Sequence, residues 1–177
     1  IGLERDGFLY VSDVLSDIEE FSAWMEGSEI VEDMEDNGSA SPKPGRRRSR
    51  RARESQRIDQ LLSKGDEILI QISKAPLGTK VARITTHISL PGRYVVYMPT
   101  VDHGGVSRKI ADRAERTRLR KIIHGGRPKN AGGFIVRTAG VGQSKEDLQD
   151  DMMFLKEAWE EIKRRSENAN APTLIHR

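Results

Sequence analysis

The chain has 177 residues, a net charge of +3 and no cysteine. Its length holds one large domain or two small ones, and the missing cysteines exclude a disulfide framework and any thiolate zinc site within it. No apolar run approaches the ~18 residues of a membrane-crossing helix, and no secretory leader is visible.

The charges are segregated. An acidic, apolar-interleaved stretch over residues 17–36 precedes the run Gly45-Arg46-Arg47-Arg48-Ser49-Arg50-Arg51-Ala52-Arg53. That asymmetry, with a pI near 9.3, points to a polyanionic partner, and nucleic acid is the commonest one. Absent cysteines suit a reducing compartment, so a cytoplasmic location is expected. The chain opens Ile1-Gly2-Leu3 and reads as a piece of a longer protein.

Taken in order, Gly7-Phe8-Leu9-Tyr10-Val11 predicts a short strand, and residues 12–25 one or two helical turns. Residues 27–56 lose all periodicity and read as a disordered acidic and arginine-rich insertion. A helical turn is expected over 58–62, then a strand over 67–74. Leu77-Gly78-Thr79 is a turn, and a return strand runs over 80–90. Pro91-Gly92 breaks it before a further strand over 93–98.

Gly104-Gly105-Val106-Ser107 opens the second half, with Ser107 the expected cap of a helix over 108–123. Residues 125–133 read as a loop and 134–138 as a short buried strand. Ser144 then caps a helix with Asp147 at its third position. Leu148, Met152, Leu155, Trp159 and Ile162 recur on one face of it. Glu146, Asp147, Asp150 and Asp151 are expected on its exposed N-terminal face, where negative charge suits the helix dipole. A new strand is expected to start near Pro172. The fold class is α+β: a truncated β-barrel of OB type, then a small mixed α/β domain.

Three features carry chemistry. Phe8 is a candidate base-stacking platform and Lys80 a candidate phosphate contact, as in small barrels that bind single strands; a core phenylalanine and a solvated lysine are the plain alternatives. Arg46, Arg47, Arg48, Arg50, Arg51 and Arg53 add salt-sensitive affinity for a polyanion, or pair with the acidic segment before them. Val136-Arg137-Thr138-Ala139-Gly140-Val141-Gly142 ends a strand in a glycine turn. There arginine offers a planar fork, threonine a hydroxyl, and the turn amides an anion nest. A generic strand-to-helix connection reads the same way. Arg108 and Lys109 would form a second cationic wall. The histidines at 87, 103, 124 and 176 have no ligand spacing, and no metal or nucleophile motif is legible.

Together these strings, with Lys64-Gly65-Asp66-Glu67-Ile68, Thr85-Thr86-His87-Ile88-Ser89-Leu90-Pro91-Gly92-Arg93-Tyr94 and Ala171-Pro172-Thr173-Leu174-Ile175-His176, resemble bacterial ribonuclease E/G. The resemblance covers nearly the whole chain outside residues 16–56 and does not separate E-type from G-type. It implies most of an S-one-type RNA-binding domain at 1–90, a 5′-sensor domain at 91–171, and the start of an RNase H-like segment at 172–177.

By the same resemblance Phe8 and Lys80 contact RNA. Arg137 and Thr138 grip a 5′ monophosphate, Gly92 and Val96 line the wall under the terminal nucleotide, and Arg108 and Lys109 belong to the same site. Lys109 stands where the family commonly has arginine. The implied partner is single-stranded RNA, and the implied role is RNA processing and mRNA decay by an endoribonuclease. Its catalytic magnesium, its zinc link and its homo-oligomer would belong to the intact enzyme, and this chain alone would not cleave RNA. The rival expectation is a stand-alone, non-catalytic RNA-binding module.

Overall fold

A computed structural model describes residues 1–14, 57–101, 104–127 and 132–177. The arginine run and the whole predicted insertion over residues 27–56 lie outside the described residues. The architecture is α+β, with two sheets and two α-helices among the described residues.

The first sheet has three short strands in the order β1-β3-β2: β1 (Phe8–Leu9), β2 (Gln71–Lys74) and β3 (Arg83–Thr85). β3 pairs β1 in parallel and β2 antiparallel, with an irregularity between Ile72 and Lys74. The 77–80 turn is closed by reciprocal Leu77 and Lys80 backbone bonds of 3.0 and 3.1 Å. Gly78 takes φ +57° there, a conformation costly for other residues. The strands predicted over 67–74 and 80–90 shorten to these paired cores. No closed barrel forms among the described residues, so the OB-type barrel stays an expectation.

The second sheet has the order β4-β5-β7-β6: β4 (Leu90–Pro91), β5 (Val95–Met98), β6 (Gly104–Val106) and β7 (Gly133–Val136). β5 is antiparallel to β4 and β7, whereas β6 runs parallel to β7. Helices α1 (Arg113–Gly126) and α2 (Lys145–Glu167) cover one face.

Alternation along the strands sends Val95, Tyr97, Phe134 and Val136 to that face. There they meet Leu119 and Ile123 of α1 and Leu148, Met152 and Leu155 of α2. Tyr97 stacks on its cross-strand partner Phe134 at 4.6 Å, and burial pushes its hydroxyl pKa up. Each such buried side chain contributes about 1.5–3 kcal/mol. Ile88 and Leu90 belong to the same core, so this packing reaches back before Gly92.

Several expectations change. Pro91 does not break the sheet; as part of the edge strand β4 it tolerates the missing N–H. The Gly104-Gly105 pair, for which no strand was expected, is part of β6. A Cβ on Gly104 would meet the His124 ring at 3.1 Å and Ile123 at 3.3 Å, so glycine lets α1 lie close on β6. Ser107 does not cap a helix: it extends β6, and α1 starts at Arg113 with Asp112 accepting from the Ala114 amide at 2.9 Å. Residues 172–177 hold no strand.

Other readings match the structure. Ser144 and Asp147 form a reciprocal capping box on α2, and Leu148, Met152, Leu155 and Ile162 are buried. The helical turn expected at 58–62 is a single 3₁₀ turn at Ile58–Gln60.

Candidate nucleic-acid interface

The register of the second sheet gathers three segments at one edge. Val136 pairs with both Val95 and Val106. Parallel β6 and β7 therefore end at the same edge, and antiparallel β5 begins there.

Past β6, the buried Ser107 donates its amide to Val136 O at 2.8 Å. The chain then turns, with the Ile110 amide on Ser107 O at 3.1 Å, and exposes Arg108 and Lys109. Past β7, the Arg137 amide bonds Tyr94 O at 2.8 Å. Its guanidinium Nη1 donates to the Gly92 carbonyl at 2.5 Å. Thr138 is exposed and opens a 3₁₀ turn, Thr138–Gly140. Three cationic side chains and one hydroxyl thus leave the same sheet edge.

Gly92 and the hairpin that holds it are shaped by α2. The Gly92 amide donates to Val95 O at 2.8 Å. Asp151 accepts the amides of Arg93, Tyr94 and Val95 at 3.1, 2.7 and 2.9 Å. A Cβ on Gly92 would lie 2.6 Å from Asp151 Oδ2, so only glycine admits the carboxylate. Asp151 is therefore turned inward, not displayed on the helix's exposed face as expected. Arg93 lies over the Tyr94 ring at 5.6 Å and adds a cation near the edge. Val96 is 3% exposed, so its side chain is sealed.

The other flank is set by α1. Glu115 takes two bonds of 2.7 Å from Arg118 and accepts the Gly142 amide at 2.9 Å, while Arg118 donates to Gln143 O at 2.9 Å. These bonds, the Arg118 contact first, hold the Glu115 carboxyl down to about 2. The pair fixes the exit of the loop that carries Arg137 and Thr138.

On the first sheet, Phe8 is 49% exposed and meets Tyr10, 51% exposed, edge to face at 4.8 Å. The Arg83 guanidinium lies 5.1 Å from the Tyr10 ring centroid and bonds the buried Asp13 carboxylate at 3.0 Å. Lys80 is exposed at the 77–80 turn, whose Thr79 carbonyl accepts from Arg5 at 3.0 Å.

Tyr10 and Arg83 were not singled out in sequence. The alternation of Phe8 and Tyr10 along an edge strand was the available signal for Tyr10. Nothing local marked the role of Asp151, because a backbone amide it accepts lies 57 residues away; Glu115 pairs with Arg118 at helical spacing, but its tie to the Gly142 amide spans 27 residues. Arg46, Arg47, Arg48, Arg50, Arg51 and Arg53 lie outside the described residues.

The sequence model of the Ribonuclease E/G family matches residues 89–177, which hold all of the second sheet and both helices. The chain is 36% identical over 178 residues to ribonuclease G of Haemophilus influenzae, covering 99% of this chain and 31% of that protein. It is 35% identical over 165 residues to ribonuclease G of Salmonella typhimurium, covering 93% and 29%. Against ribonuclease E of Escherichia coli it is 44% identical over 120 residues, covering 67% and 11%. The chain thus spans about three tenths of the ribonuclease G relatives it matches. The match over residues 89–177, which takes in the edge where Arg108, Arg137 and Gly92 meet, places the chain in the ribonuclease E/G family.

Proposed function

We propose that the chain is the RNA-recognition part of a ribonuclease E/G-type endoribonuclease, acting on single-stranded RNA in RNA processing and mRNA decay in the cytoplasm. In this reading it senses a 5′ monophosphate at the second sheet's edge. One observation carries it: the shared end of β6 and β7 sets Arg137 and Thr138 beside Arg108 and Lys109.

A terminal monophosphate carries up to two negative charges and three strong acceptor oxygens. The Arg137 fork offers bidentate donors, Thr138 a hydroxyl, and Arg108 and Lys109 further charge. A triphosphate is disfavoured by its size and surplus charge. The sealed Val96 supports the wall from beneath through packing, while Gly92 forms the surface itself.

On the same reading, residues 1–90 belong to an S-one-type OB-fold domain in which Phe8 stacks a base and Lys80 meets a phosphate. Residues 91–171 form the sensor domain, and 172–177 open an RNase H-like segment. In this reading the magnesium and zinc that the resemblance implies belong to the intact enzyme. This chain has no cysteine, and among the described residues no group of three His, Asp or Glu side chains is placed to hold a metal. The chain's part is to bind and orient RNA. Cleavage and homo-oligomer assembly would belong to the intact enzyme.

The test is binding of this chain to matched oligoribonucleotides carrying a 5′ hydroxyl, monophosphate or triphosphate, over a range of salt. Tightest binding to the monophosphate is expected. Equal binding to all three at every salt concentration would leave only non-specific electrostatic attachment.

A further inference from the structure

Residues 93–95 present three consecutive backbone N–H groups to a single carboxylate. Asp151 Oδ1 takes the Arg93 amide at 3.1 Å, and Oδ2 takes those of Tyr94 and Val95 at 2.7 and 2.9 Å. An ionised carboxylate has about four lone-pair sites and no donor, so it can satisfy all three at once; an asparagine amide cannot, because its NH₂ would face another N–H. Bonds of this charge-assisted kind are roughly twice as strong as neutral ones.

The hairpin fixed in this way supplies both acceptors that hold Arg137. The Tyr94 carbonyl takes the Arg137 amide at 2.8 Å, and the Gly92 carbonyl takes guanidinium Nη1 at 2.5 Å. Gly92 also presses directly on Asp151, since a Cβ there would approach Oδ2 to 2.6 Å. The contacts form a chain from α2 through the hairpin amides and the Gly92 carbonyl to the Arg137 guanidinium.

We infer that Asp151 is the positioning residue of the phosphate socket, locking the 92–95 hairpin so that the Gly92 carbonyl aims the Arg137 guanidinium at the 5′ phosphate. This rests on the proposed phosphate-sensing function and adds a residue outside the anion's reach. An arginine side chain loses much rotamer freedom when it binds. A carbonyl that already holds one of its five N–H groups removes part of that cost and leaves the others for an anion. Asp151 bears negative charge near a site for anions, yet it spends that charge on backbone amides.

The experiment compares this chain with Asp151→Asn, Gly92→Ala, Arg137→Ala and Asp150→Asn. Asp150 is exposed on the same helix and controls for the loss of one negative charge. Two quantities are read: the ratio of affinities for 5′-monophosphate and 5′-hydroxyl RNA, and the ¹H–¹⁵N resonance of the Arg137 Nε–H group in the free protein.

Asp151→Asn is expected to lower the ratio about tenfold, the scale of one charge-assisted bond, and to move the Arg137 resonance to that of a mobile guanidinium. Asp150→Asn should leave both in place. Should Asp151→Asn fail to fold, Gly92→Ala disturbs the same contact from the hairpin side and should show both effects. An unmoved Arg137 resonance with an unchanged ratio overturns the inference. If the unsubstituted chain shows no preference and Arg137→Ala changes nothing, the phosphate-sensing function falls; the positioning role is then decided by the Arg137 resonance alone.

Discussion

The Glu115 carboxylate accepts the Gly142 amide at 2.9 Å, tying the first turn of α1 to the loop that follows Arg137 and Thr138. Together with the Arg118 bond to Gln143 O at 2.9 Å, it anchors the loop's exit to α1.

The tie is pH-dependent. Arg118 first, and the Gly142 amide second, hold the Glu115 carboxyl at about 2 against an ordinary 4.5. A carboxylate whose pKa falls on folding stabilises the folded chain at every pH above its unfolded value. That stabilisation fades as pH drops from about 4.5 to about 2. The Gly142 amide resonance should therefore titrate with a midpoint near 2, and Glu115→Gln should abolish the step. A midpoint at the ordinary carboxylate value would show that the tie does not persist in solution.

Arg137→Lys should behave more like Arg137→Ala than like the unsubstituted chain. Lysine keeps the charge but loses the planar fork and cannot bond the Gly92 carbonyl while also meeting phosphate bidentately. The preference for 5′-monophosphate RNA should fall about tenfold in either variant, on the scale of one charge-assisted bond. Fluorescence anisotropy with matched oligonucleotides measures it, and full rescue by lysine would reduce Arg137 to a point charge.

Gly140→Ala should destabilise the fold by about 1–3 kcal/mol through overpacking. A Cβ there would sit 2.6 Å from Val136 Cγ1 and 3.3 Å from the Tyr94 carbonyl, both beside Arg137. Urea unfolding reads the loss, and a midpoint equal to that of the unsubstituted chain would mean the 3₁₀ turn shifts freely.

Phe8→Ala and Lys80→Ala should separate stacking from charge. Removing the exposed ring should cost about 1–3 kcal/mol of single-strand affinity at every salt concentration. Removing the lysine should instead flatten the slope of log affinity against log salt by about 0.7. Tyr10→Ala should resemble Phe8→Ala, because the two rings share one exposed surface.

Features set by neighbours in sequence were legible. The Ser144 and Asp147 box, the stripe from Leu148 to Ile162, the glycine turn at Gly78 and the buried strand expected over 134–138, found at Gly133–Val136, all follow from spacing and turn chemistry. The Arg137 and Thr138 string stood out through the family resemblance, since its residue types alone fit a generic strand-to-helix connection equally well. Gly104 and Gly105 hid a strand, since glycine carries no strand signal; only the close packing of α1 explains it. Ser107 looked like a helix cap for the same local reason, but its amide pairs with Val136 in the sheet.

The amino-acid order by itself determined which segments could be helix, strand or turn, which residue types could meet an anion, and the family. Tertiary structure alone decided that β6 runs parallel to β7 and that Asp151 turns inward. It also decided that Gly92, Arg108 and Arg137 share an edge and that Val96 is sealed. The reason is range: helical periodicity and capping act within about four residues, whereas pairing register and a carboxylate's choice of amides are settled between residues that meet only once the chain has folded.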